Sequence, residues 1–232
     1  MSTAQPPQRP WPGWTGATRY LLTLAAGATN AFGFLALGGV FTSVVTANSA
    51  LLGLYLGNAR LPAARLVAAA LLGYVVGAAA GGLAAAGRGR VRGAGIRGGL
   101  LLEALLLWLV FFGWPAWHSG PRGRTLLLFL TAVAMGCQNG AVRVTVGGEV
   151  TTAYLTGLLT STVTAYATRG RLAARNGAVV LALIAGAIAG GAAYRWSPAA
   201  APLVPALLVS AALAATWARS PSHAERRPPL MH

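Results

Sequence analysis

The sequence predicts an all-α membrane protein, a polytopic bundle of about six transmembrane helices plus two polar, glycine-broken segments. The chain has 232 residues, of which 56% are hydrophobic and only 9% are charged, whereas a soluble domain carries about 25% charged residues. Uncharged apolar runs long enough to cross a bilayer recur along it. These runs are continuous rather than alternating, which favours helices, because a helix satisfies its own backbone hydrogen bonds in lipid.

Eight apolar segments can be drawn in chain order. They are 20–37, 40–57, 64–86, 98–117, 125–142, 150–168, 177–195 and 199–217. The second and sixth differ from the others because each is rich in Thr and Ser and each follows or overlaps a Gly-Gly pair. Glycine weakens a helix by about 1 kcal/mol relative to Ala. These two segments therefore either cross the bilayer or enter it halfway and turn back.

The spans form a single transmembrane domain over residues 18–218, divided into halves at 18–117 and 125–217. A Pro-rich leader at 1–17 and a polar tail at 219–232 flank this domain. Both have the composition of disordered segments.

A polar, glycine-marked motif occurs once in each half, 109 residues apart (139 − 30, 147 − 38 and 151 − 42). The first copy contains Asn30, Gly38, Gly39, Thr42, Thr46 and Asn48, and the second contains Asn139, Gly147, Gly148, Thr151, Thr152 and Thr156. A repeated, glycine-interrupted segment at the same place in two halves is a pointer to a transport site. The sequence therefore favours a small-solute site between the halves, lined by these residues and Gln138.

Each group in this predicted site has a structural alternative. The amides of Asn30, Gln138 and Asn139 line a pathway or form hydrogen bonds between helices. The Gly-Gly pairs expose backbone groups to a ligand or form plain turns. The Thr and Ser hydroxyls face a solute or bond back to their own helix. The sequence leaves these alternatives open.

Arginine placement favours the six-span arrangement modestly. With a cytoplasmic N-terminus, six spans place 13 of the 18 arginines inside, whereas eight spans place 12 inside and leave the cluster at 88–97 outside. The rule that positive charge stays inside prefers the former. Six spans give three per half, an odd number, so the halves would be inverted relative to each other.

Two ionisable residues fall within apolar segments. Glu103 is either a functional intramembrane carboxylate with a proton-relay role, whose expected partner is Arg97 or Arg143, or an interfacial residue paired with Arg97. Arg143 binds an anionic group or extends to the lipid headgroups. By contrast, the small-residue spacing of Gly73, Gly77 and Gly81, and of Gly186 and Gly190, predicts close helix packing.

Composition also limits the partners and the chemistry. The net charge of +15 comes from arginines lying between apolar runs, which indicates topology and anionic headgroups rather than nucleic acid. Cys137 is the only cysteine and the three histidines are scattered, so neither a metal site nor another cofactor is predicted. No nucleophile set or carboxylate pair is visible, and an enzyme is not expected.

The quoted motifs resemble the YoaK family of uncharacterised bacterial integral membrane proteins. The resemblance is carried by residues 28–48, 100–107, 134–143 and 151–160 and extends over about 18–217. It implies a multi-pass protein of the bacterial cytoplasmic (inner) membrane with no established activity. The family's first motif usually has Asp where this chain has Asn30, and Thr-Gly-Asn where it has Thr46-Ala47-Asn48. This chain therefore lacks an acidic group for ion coupling at that place.

The predicted function is that of a small-solute transporter or permease, with membrane lipids as its surroundings. The alternative is a non-catalytic scaffold or lipid-interacting protein. The sequence leaves open whether the chain forms a homo-oligomer, and it does not name the solute.

Overall fold

The structure, a computed structural model, describes residues 16–86, 94–146, 155–169 and 174–218. The regular secondary structure of these residues consists of eight α-helices. They are α1 (Gly16–Ala36), α2 (Val45–Gly57), α3 (Leu61–Ala86), α4 (Ala94–Trp117), α5 (Pro121–Val146), α6 (Leu155–Arg169), α7 (Ala174–Trp196) and α8 (Leu203–Ala218). The expected disorder of the leader and tail lies outside the described residues, except that Gly16 and Ala17 already belong to α1.

Four helices are long and apolar enough to cross a membrane, and they indicate a membrane protein. They cover Leu61–Ala86, Gly95–Trp117, Pro121–Val146 and Asn176–Trp196. Prolines stand in the first turn of α3, α5 and α8, at Pro62, Pro121 and Pro205, where the missing N–H costs no helical hydrogen bond.

Helices α1 and α5 run in opposite directions through the bundle. Leu22, near the start of α1, clusters with Val142 near the end of α5, whereas Phe32, near the end of α1, clusters with Leu127 near the start of α5. Helix α4 is antiparallel to α5, because Leu100 shares the cluster of Val142 and Val110 shares that of Leu127. The first helices of the two halves, α1 and α5, therefore run in opposite directions.

Helix α2 begins and ends at one end of the bundle. Leu37, just after α1, clusters with Val67 near the start of α3, and α2 is the segment that joins them. Its 13 residues extend about 20 Å at 1.5 Å per residue, which is short of a hydrocarbon core of about 30 Å.

Glycines allow α3 and α5 to pack backbone to backbone. A Cβ atom added to Gly77 would collide with the carbonyl oxygen of Val133, and one added to Gly81 would collide with that of Cys137. From the opposite side, a Cβ on Gly136 would collide with the carbonyl oxygen of Tyr74. Because both residue numbers rise together along the interface, α3 and α5 are parallel.

Helices α1 and α7 meet in the same manner. A Cβ atom on Gly186 would collide with the carbonyl oxygen of Leu24, and one on Gly190 would lie 2.7 Å from that of Ala28. A Cβ on Gly27 would collide with the carbonyl oxygen of Leu183. Each of these contacts lies 109 residues from a contact at the other interface. The structure thus confirms that the predicted small-residue faces are packing surfaces.

We expect Gly77→Ala and Gly186→Ala each to destabilise the protein by about 1–3 kcal/mol, the usual cost of overpacking. The reason is that the new methyl group meets a backbone carbonyl, which cannot rotate away. Thermal unfolding of the purified protein, followed by loss of helical signal, measures the effect.

Gly53→Ala is the matched control, because Gly53 lies in helix α2 with nothing within 4 Å of an added Cβ. Alanine there should be neutral or stabilising by about 1 kcal/mol. Equal melting temperatures for G53A and G77A would contradict the close approach of α3 and α5.

Candidate functional site

Asn30 fastens the segment that follows α1. Its side-chain oxygen accepts hydrogen bonds from the Thr42 N–H at 3.0 Å, the Thr42 hydroxyl at 3.1 Å and the Ser43 N–H at 3.1 Å. Its amide nitrogen donates to the Ser43 hydroxyl at 2.8 Å. Asn30 therefore folds the chain ahead of α2 back onto α1, a role that the sequence analysis did not predict.

Asn48, in α2, also holds this segment through two side-chain hydrogen bonds. Its side-chain oxygen accepts from the Phe41 N–H at 3.2 Å, and its amide nitrogen donates to the Phe41 carbonyl. The two asparagines thus hold three successive residues, 41 to 43. Thr46 lies exposed in the first turn of α2 and takes no part in this arrangement.

Gly38 and Gly39 form the turn that ends α1. Both have positive φ angles, 108° and 76°, in the region that favours glycine. The Gly39 N–H donates to the Phe34 carbonyl at 2.9 Å, one turn back, as at many helix ends where a glycine adopts a left-handed conformation. The first Gly-Gly pair therefore serves as a turn, and its backbone role toward a ligand stays a prediction.

A cavity of about 320 Å³ lies between the end of α1, the segment after it and α7. It is lined by Gly27, Asn30, Ala31, Phe34, Leu35, Phe41, Val44, Leu183, Ala187 and Gly191. Asn30 is the polar side chain of this lining, and the Phe34 and Phe41 rings stack with centroids 5.0 Å apart. The volume falls at the lower end of the range typical of small-molecule sites.

Of the predicted site residues that the structure describes, only Asn30 lines this cavity. Gln138 is fully buried in α5 and donates to the Leu22 carbonyl at 3.4 Å, which links α5 to α1. Asn139 donates to the Met135 carbonyl of its own helix at 3.0 Å. Thr156 is exposed on α6. Gly147, Gly148, Thr151 and Thr152 lie outside the described residues.

Glu103 is fully buried, with 0% of its surface exposed. Neither carboxylate oxygen has a hydrogen-bond partner within the part of the chain that the structure describes. It is the tenth residue of α4, about 14 Å along the helix from its start at 1.5 Å per residue. Glu103 therefore lies in the interior of the helix bundle, and α4 begins four residues earlier than predicted. Its depth in the bilayer stays a prediction.

The expected ion pair of Glu103 with Arg97 or Arg143 is not formed. The Arg97 guanidinium instead donates to the Thr216 carbonyl at 2.7 Å, near the end of α8. Arg143 lies exposed in the last turn of α5, a position that suits extension toward headgroups. Arg97 was the wrong partner because a carbonyl near the end of α8 lies within its reach, while Glu103 lies six residues further along α4.

Sequence reasoning missed Ser43, Phe41 and the part that α7 plays at the cavity. A signal for Ser43 was present, because a Gly-Gly turn between Asn30 and Thr42-Ser43 returns the chain to the asparagine. No signal identified α7, since the small residues of a helix do not name the helix that packs on them.

Asn30→Ala should loosen the segment between α1 and α2. It removes the acceptor for two backbone N–H groups and the Thr42 hydroxyl, and the donor to the Ser43 hydroxyl. Each buried group left unpaired costs about 1–3 kcal/mol. We expect the amides of residues 41–44 to exchange with deuterium at least severalfold faster in the variant, as measured by hydrogen-exchange mass spectrometry in lipid.

Asn58→Ala provides the control, because the Asn58 amide bonds only to the exposed Leu54 carbonyl one turn back. Unaltered exchange of residues 41–44 in N30A, or equal acceleration in N58A, would argue against a specific role of Asn30 in holding this segment.

Comparison with known proteins places the chain in a family without assigning an activity. No curated protein and no solved structure matches the chain. A family model described as "Protein of unknown function (DUF1275)" matches residues 19–215, and the YoaK family, which the motifs resemble, agrees with it in kind. Because the match covers most of the chain, including every described helix, this protein belongs to the DUF1275 family.

Proposed function

We propose that this protein is a transporter of small solutes in the bacterial cytoplasmic membrane, with six crossing helices in two inverted halves. The crossing helices are α1, α3, α4, α5, α7 and α8. The observation that carries the proposal is the antiparallel direction of α1 and α5, in which the two copies of the sequence motif begin. Inverted repeats with a site between them are typical of secondary transporters.

The contacts between helices support a twofold relation of the halves. The pair α3 and α5 corresponds to the pair α7 and α1 after a shift of 109 residues, and both pairs are joined through glycines at equivalent positions. The pairs α4–α5 and α8–α1 correspond in the same way. Ala25 and Ala134, which are also 109 residues apart, share one buried cluster. An axis that exchanges the halves would pass close to these two alanines.

Helices α2 and α6 are the two segments that enter and return in this arrangement. Helix α2 begins and ends at the end of the bundle where α1 stops, and α6 stands between α5 and α7, which also run in opposite directions. Six crossings then place the arginines of 88–97 on the cytoplasmic side, as the distribution of positive charge favours.

The cavity between α1 and α7 is the best candidate for solute contact, because these helices belong to different halves. One hydrogen of the Asn30 amide nitrogen has no acceptor among the described residues, since Ser43 takes the other. One donor in an apolar lining suits a small, weakly polar solute with a hydrogen-bond acceptor.

Lipid is the expected partner of the outer surface. Large apolar side chains point outward from several crossing helices, and the most exposed are Leu72, Val75, Leu83, Phe112, Leu181 and Ile188. Contiguous apolar surface of this kind needs an apolar environment, and acyl chains supply it. A scaffold protein would present the same apolar surface. The two functions are therefore distinguished by the labelling of introduced cysteines and by the flux of solutes.

Single cysteines at Thr46 and Thr156 test the inverted arrangement. Both substitutions are made in a C137A background, which removes the native thiol. We expect T46C to react with an impermeant thiol reagent added outside right-side-out vesicles, and T156C to react only when the reagent reaches the inside. Both positions are exposed, and they lie at opposite ends of the bundle. Reaction of both from the same side would indicate parallel halves and remove the main support for the transporter.

Flux is tested by osmotic swelling of vesicles that contain the purified chain, in a panel of small neutral solutes. Ala187 lines the cavity, so Ala187→Trp should fill it and slow swelling severalfold for any solute that the protein carries. Ala214→Trp, at an exposed position of α8, is the matched control and should leave the rate unchanged. Swelling that never exceeds that of protein-free vesicles would favour the scaffold.

A further inference from the structure

Glu103 is a buried carboxyl group without hydrogen bonds. It is fully buried, and both of its oxygens lack hydrogen-bond partners among the described residues. An ionised carboxylate there would be a buried charge without a counter-ion, which is costly in an apolar interior. Ionisable residues inside a membrane protein are rare and mark ion pathways and proton relays. A structural role would instead be expected to give the carboxyl group a hydrogen-bond partner.

The position of Glu103 is central. Its neighbour in the chain, Ala104, belongs to the buried cluster that contains both Ala25 and Ala134, through which the proposed axis between the halves passes. In inverted-repeat transporters, coupling ions bind near the bilayer midplane at the interface of the repeats. Glu103 therefore lies where an ion that biases the two halves would act.

We propose that Glu103 is the proton-binding group that couples solute movement to the proton gradient, an inference that rests on the proposed transport function. A proton fits this site better than a metal cation does. A hard cation needs several oxygen ligands, six or more for calcium or magnesium, and the described residues offer neither Glu103 oxygen a hydrogen-bond partner. A proton needs only the carboxylate itself.

The two halves differ at this position. The residue 109 positions after Glu103 is Ala212, which is buried in α8. The motif asparagines Asn30 and Asn139 carry amides, which do not titrate in this range. Among the residues that the structure describes, the chain therefore offers one such proton site, and it lies in α4.

Few charged or titratable groups surround Glu103 on the helices that pack against α4, namely α3, α5 and α8. Helix α8 has no ionisable side chain between Leu203 and Ala218. On α5, the Cys137 thiol lies within electrostatic reach of Glu103, and the remaining ionisable residues are Arg122, Arg124 and Arg143 near the ends. Helix α3 carries Arg65 and Tyr74, neither of which bonds to Glu103.

The coupling follows from the two charge states. The neutral acid is compatible with the dry packing around Ala104 and Leu107. Loss of the proton leaves a charge there, which favours a second arrangement of α4 against α5 in which the carboxylate reaches water. Proton binding and release thus bias two states of the interface between the halves.

Infrared titration of the full chain in lipid vesicles tests proton binding directly, with no solute needed. We expect the carbonyl stretch of a protonated carboxylic acid to appear on acidification and to disappear on alkalinisation. Glu103→Gln, which has nearly the same shape, should lose this band. Glu103→Asp should restore it at a shifted position, and Glu149→Gln should retain it. A band absent from the wild type, retained in E103Q, or present unchanged at every pH would overturn the proposal.

Coupling is tested with the T46C and T156C proteins. The ratio of their labelling rates should change severalfold between acidic and alkaline buffer when Glu103 is present, and should not change in E103Q. Because the proteins with Glu103 and with E103Q are compared at the same pH, the ionisation of the introduced thiols affects both equally. An equal pH response in both backgrounds overturns coupling through Glu103.

The two proposals fail separately. A titrating Glu103 in a protein whose two cysteines label from the same side would refute the inverted transporter while leaving a proton site. Labelling from opposite sides with no titrating band would refute proton coupling and leave the transporter standing.

Discussion

The close approach of backbones at α1–α7 and α3–α5 is the constraint on which the rest of this structure depends. In lipid the hydrophobic effect does not drive helices together, so association relies on van der Waals packing and on the few hydrogen bonds between helices. Gly77, Gly81, Gly186 and Gly190 let carbonyl groups of the partner helix occupy the space of a side chain. Those two interfaces fix the positions of α1 and α5, and thereby of Asn30 and of the helix that packs on Glu103.

Among the described residues, several buried polar side chains form hydrogen bonds that fix the chain in place, whereas Glu103 does not. Asn30 and Asn48 use their amides to fix the residues between α1 and α2, and Gln138 ties α5 to α1. Buried Thr29 and Thr131 bond back to carbonyls of their own helices, as hydroxyls commonly do within a helix. Glu103 stands apart, because its oxygens are buried without any such bond. This contrast is what separates a candidate functional group from the structural polar residues.

The sequence predicted the helices well, because long apolar runs in lipid allow little else. All eight segments correspond to helices, with ends displaced by at most five residues, mostly where prolines, glycines and turns set the boundaries. The small-residue faces were correctly interpreted as packing surfaces, but the identity of their partners was not predictable. Spacing shows that Gly77 faces a close neighbour and does not show that the neighbour is α5. The pairing of Glu103 was wrong for a similar reason, since sequence proximity to Arg97 did not reveal the Thr216 carbonyl. The bonds of Asn30 depend on a turn whose geometry emerges only when Gly38 and Gly39 adopt positive φ angles.

The first helix of each half packs on helices of the other half, and this determines when its surface is covered during synthesis. Helix α1 packs chiefly on α7 and α8, which are synthesised last, while α5 packs on α3 and α4, which precede it. The first helix to be synthesised therefore waits for nearly the whole chain before its glycine-matched surface is covered. A fragment ending after α4 would leave α1 without its main neighbours, so neither half is a folding unit by itself. If the two halves descend from one ancestral chain of half the length, that ancestor would have had to pair with a second copy of itself, inserted in the opposite orientation, to bury these surfaces.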